Sequence, residues 1–404
     1  MANAPPGTTA CAFDIQSFHR TCPVHPDHKP WLVVCVDDWF WIDHNTPFGT
    51  RSASSNSGQM GNAIVDIWDA EDTDTTFKYE DDMSQFQIPI QIGPFIDGLY
   101  KYRHSVSSTL SLIAPLNVPW HPTKTGTEFL LVFVFIGFLW DLANHHVSLP
   151  EQKHLKFLAR VEILLNKASS SLKVSLLDIQ KIHGSLVHIC FIHADGNSRL
   201  PPISNFMSSF NSNDYAKRYI PNSVVNSLHW WRDRLQDADY IRPLRPLPPE
   251  QDLGIYVDAS TTWGIGIIIQ GKWYAFRLAH NWKIPGRDIC WLEAIALEFL
   301  VYFLIQLGFS DVLLRTFSDS NGAIGAHSKG RSTNAEINLC VRRTYAASAA
   351  KFITLRFSYI ESALNPADPI SRGLIHHPMT QRLSREFDMP ADLKHFFIDF
   401  PHEC

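Results

Sequence analysis

Four prolines close together divide this chain into two parts. Pro243, Pro246, Pro248 and Pro249 fall within eight residues. Proline fixes its own φ angle and has no amide hydrogen, so neither a helix nor a central strand continues through such a segment. We therefore predict a proline-rich linker at 242–250. A chain of 404 residues is long enough for two or three domains.

The composition is that of an ordered globular protein, with 45% hydrophobic and 19% charged residues. The seven cysteines form no Cys-x-x-Cys pair, and their number is odd. This pattern predicts reduced thiols and disfavours a disulfide framework or a zinc site. The 19 histidines include the adjacent pair His145 and His146 but no spaced cluster with carboxylates. A protein that binds metal through histidine is therefore disfavoured.

The charge is unevenly distributed along the chain. Residues 1–150 contain 7 Lys or Arg and 16 Asp or Glu, a net charge of −9, whereas residues 151–250 contain 13 and 9, a net charge of +4. Nucleic-acid enzymes are usually more basic than this chain, whose net charge is −5. The acidic N-terminal part is partly explained if several of its carboxylates bind metal ions.

The sequence shows no targeting or membrane-spanning segment. Its N-terminus has no basic region followed by an apolar run. The most apolar stretch, 129–142, is too short to span a membrane and contains Asp141, so we predict a buried strand there. We expect an intracellular protein of the cytoplasm or nucleus, without a membrane partner.

Three blocks are visible, and together they predict an α+β (mixed α/β) chain. Residues 1–147 alternate short apolar runs with turns, and residues 148–241 are mostly helical by their apolar spacing. From residue 251 the pattern predicts a five-stranded mixed sheet with helices. Its strands are expected at 254–258, 265–270, 272–277, 312–317 and 352–359, and its helices at about 290–307, 321–328 and 334–350.

Four carboxylates in the last block point to a metal site. Asp258 lies alone in an apolar strand, where a carboxylate is costly unless it is paired or binds a cation. Glu293 lies near the start of the long helix, Asp319 follows a strand, and Asp368 follows the last strand. Four acids at one end of a sheet can hold two Mg²⁺ about 4 Å apart. As alternatives, Asp319 and Asp368 are ordinary cap or turn residues. Glu298, five residues after Glu293, points away from that helix face and is the poorer candidate.

The segment from Tyr256 to Arg372 resembles the ribonuclease H domain of retroelements. Its closing motif of Asn365, Ala367, Asp368, Ser371 and Arg372 is typical of retrotransposon versions. The resemblance implies a domain at 251–373 that cleaves the RNA of RNA–DNA hybrids with Mg²⁺ or Mn²⁺, two ions per active site. It also implies that Asp258, Glu293, Asp319 and Asp368 are catalytic and bind the metals. Many relatives have a histidine in the loop before the last Asp, but loop 359–364 has none.

A second ordered set of residues lies in the first block. Asp14 follows an apolar run, Pro47-Phe48-Gly49 comes next, and Tyr79-Glu80-Asp81-Asp82 comes last. This order resembles the palm of reverse transcriptases. Asp37-Asp38 also looks like the paired aspartates of polymerases, but it precedes Phe48 and Gly49, whereas the palm order places the aspartate pair after them. We therefore interpret Asp37-Asp38 as unrelated to the palm site. Residues 35–42 are then the strand that leads into the Pro-Phe-Gly turn. The alternative for Asp81-Asp82 is a solvated acidic turn.

The resemblance assigns roles in the first block. It implies that Asp14 and Asp81 bind two metal ions, with Asp82 as a supporting catalytic residue. Small residues after Gly49 would admit the template, and Phe48 and Gly49 would contact substrate. His19 takes the place of an aromatic residue that screens the sugar, and Lys124 matches a basic residue near the pyrophosphate. Glu80 adds an unfavourable third negative charge beside Asp81 and Asp82, where relatives usually have an apolar residue. The chain begins about a dozen residues before Asp14, so we expect most of the fingers to be lacking.

The whole pattern is closest to the reverse transcriptase and ribonuclease H region of DIRS-like (gypsy-related) retrotransposons. It implies a palm at 1–147, a helical thumb and connection at 148–241, and a tail at 374–404. The implied partners are an RNA template, a DNA primer, RNA–DNA hybrids and deoxynucleoside triphosphates. We expect hydrolysis to be retained more readily than DNA synthesis. The alternative is an inactive remnant that acts at most as a nucleic-acid-binding or interaction protein.

Overall fold

The computed structural model describes residues 1–91, 99–237, 241–375, 382–383 and 387–400. The predicted tail at 374–404 therefore lies partly outside the described residues. The chain forms two compact units. Unit 1 comprises Met1–His154 and Asp239–Pro246, and unit 2 comprises Leu155–Ala238 and Leu247–Cys404.

The strands alternate with helices in unit 1, whereas in unit 2 six strands form one large sheet and two short strands, β9 and β10, pair separately. They are β1 (Thr9–Asp14), β2 (Val33–Val36), β3 (Trp39–Ile42), β4 (Thr76–Tyr79), β5 (Asp82–Gln87), β6 (Val132–Phe135), β7 (Phe138–Asp141), β8 (His146–Ser148), β9 (Val174–Ser175), β10 (Lys217–Arg218), β11 (Arg242–Pro243), β12 (Glu250–Ala259), β13 (Gly264–Ile269), β14 (Lys272–Leu278), β15 (Val312–Ser318), β16 (Ile353–Tyr359) and β17 (Phe397–Phe400).

The helices are α1 (Ala53–Ala70), α2 (Val106–Leu112), α3 (Glu151–Ser169), α4 (Leu176–Ile189), α5 (Pro201–Ser208), α6 (Asn222–Gln236), α7 (Ile289–Gln306), α8 (Asn321–Lys329), α9 (Ala335–Ala350) and α10 (Asp368–Ser371). The predicted α+β class is confirmed, because helices and a mixed sheet are both present.

Unit 1 contains a small antiparallel sheet in the order β1-β5-β4. Helix α1 packs on it through Ile64 and Trp68, which contact the buried side chains of Phe13 and Met83. The antiparallel pairing of β1 with β5 places the end of β1 beside the start of β5. A second antiparallel sheet has the order β11-β8-β7-β6, so the predicted linker is partly ordered as its edge strand β11. Proline is tolerated there because one side of an edge strand has no partner.

Two expectations for unit 1 are wrong in detail. Residues 35–42 do not form one strand, because β2 and β3 pair as a hairpin around Asp37 and Asp38, whose φ angles are 51° and 60°. Aspartate tolerates this left-handed backbone better than most residues. The stretch 129–142 is not one buried strand either. It contains the β6–β7 hairpin, in which alternate residues of β6 are exposed.

Unit 2 is built on a mixed sheet in the order β16-β15-β12-β13-β14-β17. β12 pairs in parallel with β15 and antiparallel with β13, and β15 pairs in parallel with β16. The expected sheet had five strands. The sixth strand, β17, comes from the C-terminal tail and pairs antiparallel with β14.

Helix α7 forms the centre of this unit. Thirteen of its 18 residues are buried, as expected for a helix that is apolar on all sides. With a mean hydropathy of 1.8, it is the one helix among the described residues that is long and apolar enough to cross a membrane. However, 72% of it is buried inside the protein, and core helices pass the same test.

The charged residue at the centre of α7 is structural. Glu298 is fully buried and forms two hydrogen bonds with Arg343 of α9, at 2.6 and 2.7 Å. Removing one partner of a buried ion pair leaves an uncompensated charge and costs about 3–5 kcal/mol.

We expect Glu298→Ala to lower the free energy of unfolding by about that amount, and Glu298→Ala with Arg343→Met to recover part of it. Urea denaturation of the two variants measures the difference. A single variant as stable as the wild type would contradict a buried ion pair.

Candidate functional site

The register of two parallel strands brings two acids to the same edge of the sheet. Tyr256 of β12 lies opposite Phe317 of β15. Asp258, still within β12, and Asp319, just after the end of β15, each lie two residues further along the chain and therefore at the same level of the sheet. Asp258 is buried because β12 is an interior strand, whereas Asp319 is partly exposed after the end of β15.

Helix α7 supplies the third acid. Its N-cap residue Asp288 accepts a hydrogen bond from the backbone N–H of Trp291 at 3.1 Å, which fixes the start of the helix. Glu293 follows on the buried face, and its Oε1 accepts a hydrogen bond from the backbone N–H of Ala259 at 3.2 Å. Thus Glu293 is tied directly to the strand residue after Asp258.

Asp258, Glu293 and Asp319 form one cluster. Each offers a carboxylate oxygen, and these oxygens all lie within 4.8 Å of one another. Among the described residues, this is the one group of His, Cys, Asp or Glu side chains with such spacing. The structure therefore brings together three of the four acids predicted for this site.

The cluster is strongly repulsive without a counter-ion. Burial and the neighbouring carboxylates of Asp258 and Asp319 raise the pKa of Glu293 to about 9. Burial and the charges of Asp319 and Asp368 raise the pKa of Asp258 to about 7, although a hydrogen bond from Ser371 opposes the shift. A nearby cation would reverse both effects because it favours the charged form of each acid.

The donor set fits a divalent cation such as Mg²⁺ or Mn²⁺, which prefers carboxylate oxygens. Glu293 Oε2 is buried and has no hydrogen-bond partner among the described residues. Such an oxygen is costly to bury unless something binds it. The unpartnered oxygen and the three converging carboxylates therefore support a cation-binding role.

The fourth predicted acid, Asp368, has a different partner. It begins α10, and Arg372 Nε lies 2.9 Å from both of its carboxylate oxygens. The charge of Asp368 still raises the pKa of Asp258 and of Glu293. Asp368 thus acts on the cluster electrostatically but lies outside the group of three.

Sequence reasoning missed two residues that hold Asp258 in place. Ser371 Oγ donates a hydrogen bond to Asp258 Oδ2. Asn365 Nδ2 donates to the backbone oxygen of Val257 at 3.0 Å and lies 3.4 Å from Asp258 Oδ1. Both residues belong to the motif at 365–372, so the motif was the available signal.

Gly266 lets these residues approach the sheet. It lies opposite Asp258 on β13, and a Cβ atom there would lie 2.7 Å from the backbone oxygen of Ala367 and 2.8 Å from the nitrogen of Ser371. A side chain at this position would therefore push α10 away from Asp258.

The acids of unit 1 form a second, different arrangement. Asp14 and Asp82 lie opposite each other on β1 and β5, and Asp81 lies in the two-residue turn before β5. Lys124 Nζ lies 3.0 Å from Asp14 Oδ2, so a lysine ammonium already compensates this charge. Burial and the charges of Asp81 and Asp14 raise the pKa of Asp82, and the hydrogen bond with Asp14 raises the pKa of Lys124.

Two of the other residues assigned to this site, His19 and Phe48, are in contact with each other. His19 Nδ1 lies 3.3 Å from Ser57 Oγ of α1, and its ring packs edge-on against Phe48, with centroids 5.4 Å apart. Phe48 is 76% exposed, and Gly49 has a φ of 89°. Asp37 and Asp38 lie in the exposed turn of the β2–β3 hairpin.

No protein-family model and no curated protein matches this chain. Among solved structures, it is similar to the foamy viral protease–reverse transcriptase in complex with an RNA/DNA hybrid, at 11% identity and a TM-score of 0.44 over 95% of this chain and 47% of that one. Two further foamy viral structures, with double-stranded DNA, give 11% and 12% identity and TM-scores of 0.39 and 0.38. They cover 88% and 87% of this chain, which spans 58% and 67% of theirs. Similarity this weak identifies neither a family nor an activity.

The raised pKa values generate a test of cation binding. Without a divalent cation, Asp258 and Glu293 contribute stability that is present below their unfolded pKa values and lost as the pH rises through about 7 and about 9. We therefore expect Mg²⁺ to raise the Tm by several degrees at pH 9 and by less at pH 6, as measured by calorimetry.

Glu293→Gln removes one charge from the cluster and should reduce both the pH dependence and the gain in Tm with Mg²⁺. Asp214→Asn, which removes the charge of an exposed carboxylate of the same unit, is the matched control. An equal gain at both pH values, or an undiminished gain in Glu293→Gln, would argue against the cation site.

Proposed function

We propose that this chain is a divalent-cation-dependent phosphodiester hydrolase that cleaves the RNA strand of RNA–DNA hybrids. The observation that carries the proposal is the cluster of Asp258, Glu293 and Asp319, with the buried and unpartnered Oε2 of Glu293. The ribonuclease H-like motif at 365–372 supplies the substrate class. Two Mg²⁺ or Mn²⁺ ions held by these acids would activate water and stabilise the leaving oxygen.

The side chains of unit 2 prepare this chemistry by fixing the acids. Ser371 and Asn365 hold Asp258, and the backbone N–H of Ala259 holds Glu293. These hydrogen bonds restrict the orientation of both carboxylates. Arg372 orients Asp368, which would complete the acidic set, so α10 supplies both an acid and its support.

We further propose that the chain derives from the reverse transcriptase and ribonuclease H region of a DIRS-like retrotransposon. In this assignment residues 1–147 are the palm, 148–241 the thumb and connection, 242–250 the linker and 251–373 the ribonuclease H-like domain. The order of Asp14, Phe48-Gly49 and Asp81-Asp82 supports the palm.

DNA synthesis is the second candidate activity because Asp14 and Asp82 lie side by side on β1 and β5. The contact between Lys124 and Asp14 weakens it, since an ammonium group neutralises an acid that would bind metal. Glu80, which holds an unfavourable φ of 55° in the turn, adds negative charge beside Asp81. We therefore propose that deoxynucleoside triphosphates and a primed template are poor substrates.

An inactive remnant that only binds nucleic acid is the competing function. An inactive remnant would have no cleavage activity, so substitutions of the acids in unit 2 would change no reaction rate. The two experiments below separate these possibilities.

We expect the purified protein to cleave the RNA of an end-labelled RNA–DNA hybrid in Mg²⁺ and to lose cleavage in EDTA. Ser371→Ala should reduce the rate roughly 10–100-fold, as is typical for loss of an outer partner of a metal ligand, and Asp258→Asn should reduce it further. Gel electrophoresis of the products gives the rates.

Asp252→Asn is the matched control, because this exposed acid lies on the same strand as Asp258 and the change removes the same charge. Cleavage that persists unchanged in Asp258→Asn would refute the assigned site. A folded protein without cleavage would favour the inactive remnant.

For DNA synthesis, we expect the wild-type protein to extend a primer on an RNA template no more than the Asp81→Asn variant does, because Lys124 compensates the charge of Asp14. Asp38→Asn in the exposed β2–β3 turn is the control. Strong extension that is lost in Asp81→Asn but kept in Asp38→Asn would show that the palm is active.

A further inference from the structure

A basic cavity lies within unit 2, and the acids of the candidate catalytic cluster are not among its lining residues. Its volume is about 920 Å³, and Lys173, Lys217, Arg218 and Arg342 line it. Among its described lining residues, Glu336 is the one carboxylate, and Arg287 pairs with it at 2.8 Å. The cavity therefore has an excess of positive charge.

A second cavity of about 500 Å³ adjoins the first, since both are lined by Pro201, Ser332 and Thr333. It adds two cations, Lys329 and Arg331. Its lining includes Asn321 and Gly322, which begin α8 and are separated from Asp319 only by the N-cap residue Ser320. The two cavities thus form one basic groove that starts beside an acid of the candidate catalytic cluster.

The cations of the basic groove lack acidic partners. None of the six forms an ion pair with a carboxylate in the part of the chain that the structure describes. Burial and, to a lesser degree, the charge of the groove residue Arg342 lower the pKa of Arg199 to about 10. Uncompensated cations in a concave surface attract a polyanion.

The basic groove also contains an exposed aromatic ring. Tyr219 is 60% exposed, and Lys173 Nζ lies 5.1 Å from its ring centroid. An exposed ring among cations suits single-stranded nucleic acid, whose phosphates bind the cations while an unpaired base stacks on the ring. A duplex cannot use the ring in this way, because its bases are already stacked and paired.

We propose that the basic groove binds a single-stranded segment of RNA or DNA that extends from the acidic cluster. The identity of that segment, as the strand continuing beyond a cleaved hybrid, rests on the proposed function. The binding itself rests only on the six cations and Tyr219.

The charge part of this proposal is tested by Lys217→Gln with Arg331→Gln, one cation from each cavity. A fluorescein-labelled RNA of about 12 nucleotides is titrated with full-length protein in EDTA, so binding does not need the metal site. We expect roughly tenfold weaker binding and a decrease of about 1.4 in the slope of log K against log salt concentration, for two lost contacts with a single strand.

The matched control is Lys272→Gln with Lys351→Gln, which removes two exposed charges of the same unit outside the groove. Lys351 follows the end of α9, whereas the groove is lined by the start of that helix. The control should change affinity by less than about twofold. Because all four side chains are exposed, every variant should keep the wild-type melting curve.

The stacking part has a different signature. Tyr219→Leu should weaken binding of the same RNA by about tenfold but leave the salt slope unchanged, since no phosphate contact is lost. Tyr345→Leu, at another exposed tyrosine of unit 2 that lines a different cavity, is its control and should have no effect.

Groove variants that match their controls in affinity and salt slope would overturn the proposal. Competition by poly-glutamate that is as effective as competition by unlabelled RNA would also overturn it, because it would reveal a general anion-binding surface.

Wild-type protein that binds RNA through the groove but does not cleave hybrids would support the groove and refute the proposed hydrolysis. Wild-type protein that cleaves hybrids but does not bind the single strand would refute the groove alone.

Discussion

The acidic site depends on the parallel pairing of β12 with β15. Parallel strands end at the same edge of a sheet, and here the pairing of Tyr256 with Phe317 sets Asp258 level with Asp319. An antiparallel pair in the same sheet would have separated the two acids by the length of a strand. Because α7 packs across the same strands, its Glu293 reaches this edge and binds the backbone of Ala259. The strand register thus places Asp258 and Asp319, and the packing of α7 places Glu293.

The two acidic sites of the chain manage the same repulsion differently. In unit 1, Lys124 compensates Asp14 from within the chain. In unit 2, no lysine among the described residues pairs with the cluster, and the apolar surroundings of α7 make the charged form of Glu293 expensive. A buried acid in that position needs either a proton or an external cation. The unit 2 cluster therefore depends on what binds it, whereas the unit 1 pair is already partly neutralised.

Much of unit 2 could be predicted from sequence because its local signals agree. Strands β13 to β16 and helices α7 to α9 lie close to their expected bounds, since apolar runs, turn residues and caps all indicate the same elements. Strand β17 was not predictable, because its pairing with the edge of β14 is a tertiary event that the short run 397–400 does not signal. The β2–β3 hairpin was missed because Asp37 and Asp38 interrupt an apolar run without a glycine or proline.

The acidic site, like the fold, could be predicted from sequence only in part. The order of acids predicted the cluster, but the pairing of Asp368 with Arg372 was overlooked although their spacing of four residues suits a helical ion pair. That pair does not exclude Asp368 from the site. Its arginine is 55% exposed, and such surface pairs contribute at most about 1 kcal/mol. A divalent ion beside Asp258 would attract Asp368 more strongly than a solvated guanidinium does, because its charge is double and its surroundings are drier. The ion pair is therefore consistent with Asp368 serving the cluster as its fourth acid.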